Sequence, residues 1–500
     1  MTAGSGPSNR DVIPRWRSVR RTLITGELAV RPSIPLELTQ DQRQELERRR
    51  SEWLAKPSET FASEFVGTAL LLGVPEEAQD AVEFLSNERG TRSTSLLAHR
   101  AGLREERRTL ALFKPRPDYT TARQSVVSFK QATIRDPRNA IAWSELARWY
   151  TTLGRPRQAE HAMHIAMALA PDSRYILRSA ACCFVSIGQP QAAHQFLVQS
   201  SATQQDPWLL ATELATANAA GRPPQFMKTA RSMLDRGTFS PFQLSELASE
   251  VGTLDLGGGN DRRARKLLRQ ALVEPTENSL AQVEWASHVT PGIIIPDSSL
   301  DLPLADEARA LHAAEEGDWL DALASATKWL GDQVFSSQAA MVASHAASVG
   351  LMDWDEGFEK AVFGLQSHPQ SAGLLNNAAY PLIEMGKYDE AAEFLGRVRT
   401  EWAQVDDQIC LQATKGLLAF RTGYPELGRR LYERSIEVAR SSHGKEYFEA
   451  MATVLLAREE LSVNRDSGLA VLTDAEKLAE KVKNRALERW LKLVQEMARI

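Results

Sequence analysis

The feature that most constrains this chain is a recurrence of 34 residues: Phe129, Ala132 and Pro137 are followed at that distance by Met163, Ala166 and Pro171. Within the better copy, Trp143, Leu146, Ala147 and Tyr150 fall on one stripe of a first helix. Gly154 then lets the chain turn, and Ala159, Met163 and Ala166 stripe a second helix that folds back. The small side chains of Ala147 and Ala159 let the two axes approach closely, and Pro171 cannot continue the second helix, so the pair ends there. A helix pair of this size cannot bury its apolar face alone and must stack on neighbours.

Those neighbours are present. A unit counted from Arg174 repeats the spacing with Leu177, Ala180, Ala181, Phe184, Gly188, Ala193 and Leu197. One counted from Ala372 repeats it with Leu375, Ala378, Ala379, Leu382, Gly386, Tyr388, Ala391 and Leu395. Weaker copies place Gly73 and Ala78 after Glu59, and Gly423, Gly428 and Tyr432 after Ile409. Asp206-Pro207 is a helix start, with Pro at a first helical position behind a capping Asp.

Counted from Ala140, the residues Trp143, Leu146, Ala147, Tyr150, Gly154, Ala159, Met163, Ala166 and Pro171 occupy positions 4, 7, 8, 11, 15, 20, 24, 27 and 32. That spacing resembles the tetratricopeptide repeat. The resemblance spans residues 59–499 and is most specific over Ala140–Leu197 and Ala372–Leu395. It implies an all-α fold, a right-handed superhelical solenoid of roughly nine to eleven tetratricopeptide-like helix pairs. The expected organisation is an irregular basic arm over 1–38, a first helical block over 39–289, a Pro/Gly linker loop over 290–304 and a second block over 305–500. A short helix is expected from Trp16 to Leu28, and a last, polar capping helix from Asp466 to Ile500.

Charge and chemistry narrow the function. A net charge of −5 and a pI near 6.1 argue against whole-molecule affinity for nucleic acid. Local basic patches remain, with Arg15 and Arg17 flanking Trp16 in the arm and Arg104, Arg107 and Arg108 in the run 100–116. Glu105 and Glu106 dilute that run, so nucleic-acid contact is possible there but not favoured. Three cysteines make neither a disulfide framework nor a metal motif, which fits a reduced cytoplasm. No apolar run approaches the roughly 20 residues that cross a bilayer, and Met1–Asn9 lacks the apolar core of a secretory signal. The abundance of Arg over Lys and of Ala suggests a bacterial source.

No catalytic motif is present: there is no His-Glu-x-x-His, Gly-x-Ser-x-Gly or Walker loop, and no cofactor or metal is expected. Gly257-Gly258-Gly259 lacks the Gly-Lys-Ser/Thr of a phosphate loop and reads as a turn between helices. His161 and His164 have no second ligand pair and read as a solvated helix face, and Cys182-Cys183 as buried structure.

Surface remains. In the tetratricopeptide family, positions 2, 5, 9 and 12 of first helices line a concave groove. Here they are Ile141, Ser144, Arg148 and Thr151; Tyr175, Arg178, Cys182 and Val185; and Gly373, Asn376, Tyr380 and Ile383. Arg148, Thr151, Tyr175, Arg178, Asn376 and Tyr380 are the candidate partner-binding residues. No Lys has Asn four residues after it, so the carboxylate grip of chaperone-tail-binding members is absent. The expected function is a non-enzymatic scaffold or adaptor holding a protein or peptide in its groove. Two alternatives stand beside it: a helical partner of a bacterial defence or toxin nuclease system, since such arrays resemble the arms of proteins with PIN-type ribonuclease domains, and an RNA-binding helical repeat.

Overall fold

A computed structural model describes residues 12–18, 38–87, 119–290, 292–399, 405–482 and 484–499, and among them are 25 helices and no strand. The chain divides into two compact units, residues 10–308 with 331–334 and residues 309–330 with 335–500.

The N-terminal unit begins with α1 (Gln40–Ala55), α2 (Glu59–Leu71) and α3 (Gln79–Asn87). Helix α4 (Tyr119–Arg135) then precedes the pairs α5–α6 (Ala140–Thr152, Pro156–Leu169), α7–α8 (Arg174–Ser186, Pro190–Gln199) and α9–α10 (Pro207–Ala219, Met227–Arg236). The pair α11–α12 (Pro241–Gly257, Asp261–Ala271) follows, then α13 (Glu277–Val289). Each first helix has its own start signal. Asn139 caps α5 by accepting from the Ala142 amide at 3.0 Å, Ser173 caps α7 from Ile176 at 3.2 Å, and Asp206 caps α9 from Trp208 at 2.9 Å. Second helices α6 and α8 start on Pro156 and Pro190 at their first positions.

The turn between partners is closed by glycine. Gly154 and Gly188 sit at φ +62° and +80°, a left-handed conformation that glycine reaches without a Cβ clash. Beyond the turn, the small residues do what their spacing implies: Ala147, Ala159, Ala180 and Ala193 are all fully buried. First helices also pack on one another in series, α5 on α7, α7 on α9, α9 on α11 and α11 on α13.

The short α14 (Asp297–Leu300) belongs to the N-terminal unit and α15 (Asp306–Glu315) begins in it; the C-terminal unit goes on with α16 (Trp319–Asp332), whose last two residues belong to the N-terminal unit, then α17 (Ser337–His345) and α18 (Trp354–Ser367). The pairs α19–α20 (Ala372–Glu384, Tyr388–Gly396) and α21–α22 (Val405–Arg421, Pro425–Ser441) come next, then α23 (Glu446–Val463), α24 (Arg465–Val482) and α25 (Arg485–Arg499). In α21–α22 the two helices approach closely. A Cβ on Gly428 would lie 2.4 Å from the Phe420 ring and 2.9 Å from the Gly416 carbonyl.

Three expectations are corrected. Of the helix expected over Trp16–Leu28, Trp16–Ser18 are not helical, because their backbone groups bond to the repeats instead of to each other, and residues 19–28 lie outside the described residues. The stretch 290–304 is more than a surface loop: Pro296 and Asp297 open the one-turn α14, and Ile293 is buried against Leu268 and Val283. The last helix is two, for Asn484 accepts from the Ala486 and Leu487 amides at 2.9 and 3.2 Å and starts α25 afresh, burying Trp490.

Candidate peptide-binding groove

The inner helices of the N-terminal unit carry an unusual load of buried acid. Glu145 on α5, Glu213 on α9, Glu246 and Glu250 on α11 and Glu284 on α13 are all at most 4% exposed. Carboxylates do not go inside without partners. Here many of the partners are arginines. Arg178 of α7 forms a two-pronged pair with Glu246 at 2.9 and 3.1 Å, and Arg148 meets Glu145 at 2.9 Å. Arg174 pairs with Asp206 and donates to the Gly67 carbonyl at 2.6 Å. Arg174 and Arg178 both lie 5.6 Å from the Trp208 ring, within cation–π reach of the indole.

Arg174, Arg178, Asp206, Trp208 and Glu246 line a cavity of about 700 Å³. One wall is α7, α9 and α11, with Tyr175, Arg178, Trp208, Phe242 and Glu246. The opposite wall is the α1–α2 hairpin: α2 packs on α5 and α7, and Gln42 of α1 donates to the Thr238 carbonyl at 3.2 Å. Glu64 of α2 faces Arg49 at 3.2 Å, yet burial still raises its carboxyl above the usual range.

Into this acidic surface runs the chain's own N-terminal arm. Residues 12–18 have no helix; Val12, Pro14 and Trp16 are buried at alternate positions, the two-residue rhythm of an extended chain, until Arg17 is buried next to Trp16. The Val12 amide donates to Glu250 and the Trp16 amide to Gln333, both at 3.2 Å. Tyr175 lies with its hydroxyl 3.0 Å from the Arg17 carbonyl and 3.1 Å from Glu145, one proton facing two acceptors. Burial and then Glu145 push that hydroxyl's pKa well up, so it stays protonated. Arg15 pairs with Glu307. Arg17, 5% exposed, is clamped between Asp332 at 2.7 Å and Glu277 at 2.5 Å. Burial alone would lower its pKa, but Asp332 and Glu277 outweigh that and raise it, so the guanidinium is held charged.

The residues singled out from sequence separate into three groups. Tyr175, Arg178, Arg15 and Arg17 line the cavity. Arg148 and Thr151 are buried beside it, with Arg148 on Glu145 and 4.6 Å from the Trp149 ring, and the Thr151 hydroxyl donating to the Ala147 carbonyl at 3.1 Å. Asn376 and Tyr380 line a different, smaller cavity within the C-terminal unit. Arg104, Arg107 and Arg108 lie outside the described residues. Sequence reasoning passed over Glu246, Glu250, Glu277, Glu307 and Asp332. For Glu246 and Glu250 the signal was acid on a first helix otherwise made largely of small and apolar residues, in a chain whose arm is rich in Arg. It also passed over α12, where Arg262, Arg263 and Lys266 are exposed together. Among the described residues no group of His, Cys, Asp and Glu is arranged to hold a metal ion, and no helix is long and apolar enough to cross a membrane.

Helix pairs with a left-handed glycine turn, small residues at the crossing and first helices packed in series define the chain as an all-α protein of tetratricopeptide-like repeats. No family model matches the sequence, and no curated protein does. Solved structures similar to it include yeast Tom70, 14% identical over 76% of this chain and 93% of that one, with a TM-score of 0.32. A human IFIT1 dimer with PPP-AAAA is 13% identical over 96% of this chain and 100% of that one, with a TM-score of 0.34. The P58(IPK) TPR domain is 14% identical over 76% and 94%, with a TM-score of 0.22.

Proposed function

We propose that this protein is a non-enzymatic scaffold whose N-terminal unit holds an extended, arginine-bearing polypeptide segment along its first helices. The observation that carries the reading is the clamp on Arg17, in which one guanidinium on a non-helical segment meets two carboxylates from different parts of the unit. The arm is then the resident occupant, and a partner with the same pattern of alternating apolar and Arg residues competes with it. A tethered arm competes at an effective concentration on the order of millimolar, which keeps weak basic segments out and admits those with a better fit. Three thiols without a disulfide among them fit the cytoplasmic setting that belongs to this reading.

The test removes residues 1–18 and titrates the shortened chain with a labelled peptide of residues 10–18, read by fluorescence anisotropy. Saturable binding that weakens with salt and with Glu277→Gln is expected. Binding indifferent to both would refute the groove. The exposed basic face of α12 favours a second reading, contact with RNA, and RNA retained by the intact chain but lost on Arg262→Glu with Lys266→Glu would support it.

A further inference from the structure

The C-terminal unit holds a cavity of about 120 Å³ that the groove reading does not use. It lies among α17, α19, α21, α22, α23 and α25, and no Asp, Glu, Lys or Arg lines it. A closed apolar cavity of roughly 150 Å³ accommodates one benzene ring, so this space matches a single six-membered ring. Its walls include Tyr447, Phe448 and Trp490, which offer ring faces and edges.

The titratable walls are uncharged. Burial drops the His345 imidazole to about 4 and pushes the Cys410 thiol up to about 12, and it raises the Tyr380 and Tyr447 hydroxyls as well. An ion entering would lose its hydration with no opposite charge to replace it. Some polar groups around the space are already engaged. The Trp490 indole N–H donates to the Val349 carbonyl at 3.0 Å, and the Asn377 amide donates to Ser344 at 2.8 Å. Three lining groups differ: the Ser348 and Tyr380 hydroxyls and the Asn376 side-chain oxygen meet no hydrogen-bond partner among the described residues. Of these only the Asn376 oxygen, on a residue 7% exposed, is an acceptor alone. A buried acceptor is costly to leave without a donor, so a ligand that supplies one is favoured over a plain hydrocarbon ring.

We infer that this cavity binds one neutral aromatic ring bearing a single hydroxyl, a phenol, with the ring against the aromatic wall and the hydroxyl donating to Asn376. The inference does not rest on the N-terminal groove, which has a different lining and a different occupant. Such a ring comes either from a free phenolic compound or from a tyrosine of a protein partner, and the two sources differ in the bulk attached opposite the hydroxyl.

The test uses the intact chain and ligand-observed fluorine NMR with 4-fluorophenol and fluorobenzene. Saturable binding of 4-fluorophenol, about tenfold tighter than fluorobenzene, is expected. Asn376→Leu should erase that preference while keeping fluorobenzene binding, and Ala413→Phe, which fills the space, should remove both. Competition by N-acetyl-tyrosinamide assigns the ring to a partner's tyrosine, and its exclusion alongside competition by p-cresol assigns a free phenol. No saturable 4-fluorophenol binding at millimolar concentration, or an unchanged preference in Asn376→Leu, overturns the inference. Should Ala413→Phe lower the helical signal, the comparison through Asn376→Leu decides alone.

Discussion

The two cavities are built on the same kind of helix pair and differ in nearly everything that a ligand would feel. The N-terminal one, at about 700 Å³, is lined by five arginines (Arg15, Arg17, Arg49, Arg174, Arg178) and seven carboxylates (Asp41, Glu45, Glu64, Asp172, Asp206, Glu246, Glu277). The C-terminal one, at about 120 Å³, has none of these residue types in its walls. The crossing positions of the pairs set the backbone framework and are filled alike, by Ala147 and Ala159 in one unit and Ala379 and Ala391 in the other. First-helix positions away from the crossing are free to vary, and they decide whether the surface recognises charge along an extended chain or the shape of one ring. A charged groove gains reach and is screened by salt, whereas a neutral pocket gains selectivity for size and is indifferent to it.

The contrast is open to direct attack. The largest effect is expected from Arg17→Ala, which leaves Asp332, 4% exposed, and Glu277 without the cation between them. Breaking a buried pair from one side costs roughly 3–5 kcal/mol. Hydrogen exchange should show the loss in α7, α11 and α13 with α19–α25 unchanged, and equal loss in both units would break the comparison.

Acid should strike the other unit next. His345 titrates near 4 in the folded chain against 6.5 in the unfolded one, so between those values the unfolded state holds the extra proton and stability falls as pH falls. At about 1.4 kcal/mol per pH unit the C-terminal unit should lose roughly 3 kcal/mol across the window. His345→Leu should flatten that slope in pH-dependent melting, and an unchanged slope would remove His345 as its source.

Gly428→Ala should come third. Its Cβ would meet Phe420 at 2.4 Å and the Gly416 carbonyl at 2.9 Å, and overpacking of this kind costs about 1–3 kcal/mol. Urea unfolding should show the effect in α21–α22 without altering capture of the arm peptide by the N-terminal groove. The smallest is Ser173→Ala, which removes the α7 cap at 3.2 Å for about 1 kcal/mol and should loosen Tyr175 and Arg178 slightly. A modest drop in arm-peptide affinity with no change in 4-fluorophenol binding would sharpen the division between the two sites.

Much of the framework was legible beforehand because it is written locally. A stripe such as Trp143, Leu146, Ala147 and Tyr150 needs only helical geometry to be read, and Gly154 announces its turn by lacking a Cβ. The break at Asn484 was missed because the apolar rhythm runs through it, and only the side-chain cap reveals the new start. The site was legible by half: Tyr175 and Arg178 were singled out by position, while Glu277 and Asp332 were not.

By itself the sequence determined that the chain folds as stacked helix pairs and where the best pairs turn, since periodicity and small residues act over a few turns of helix. Only the tertiary structure decided which charges meet. Arg17 lies 260 residues from Glu277 and 315 from Asp332, Val12 lies 238 from Glu250, and no local pattern carries information over such separations. The same holds for the emptiness at Asn376: one sequence position gives an amide, and the other helices around it decide whether anything answers it.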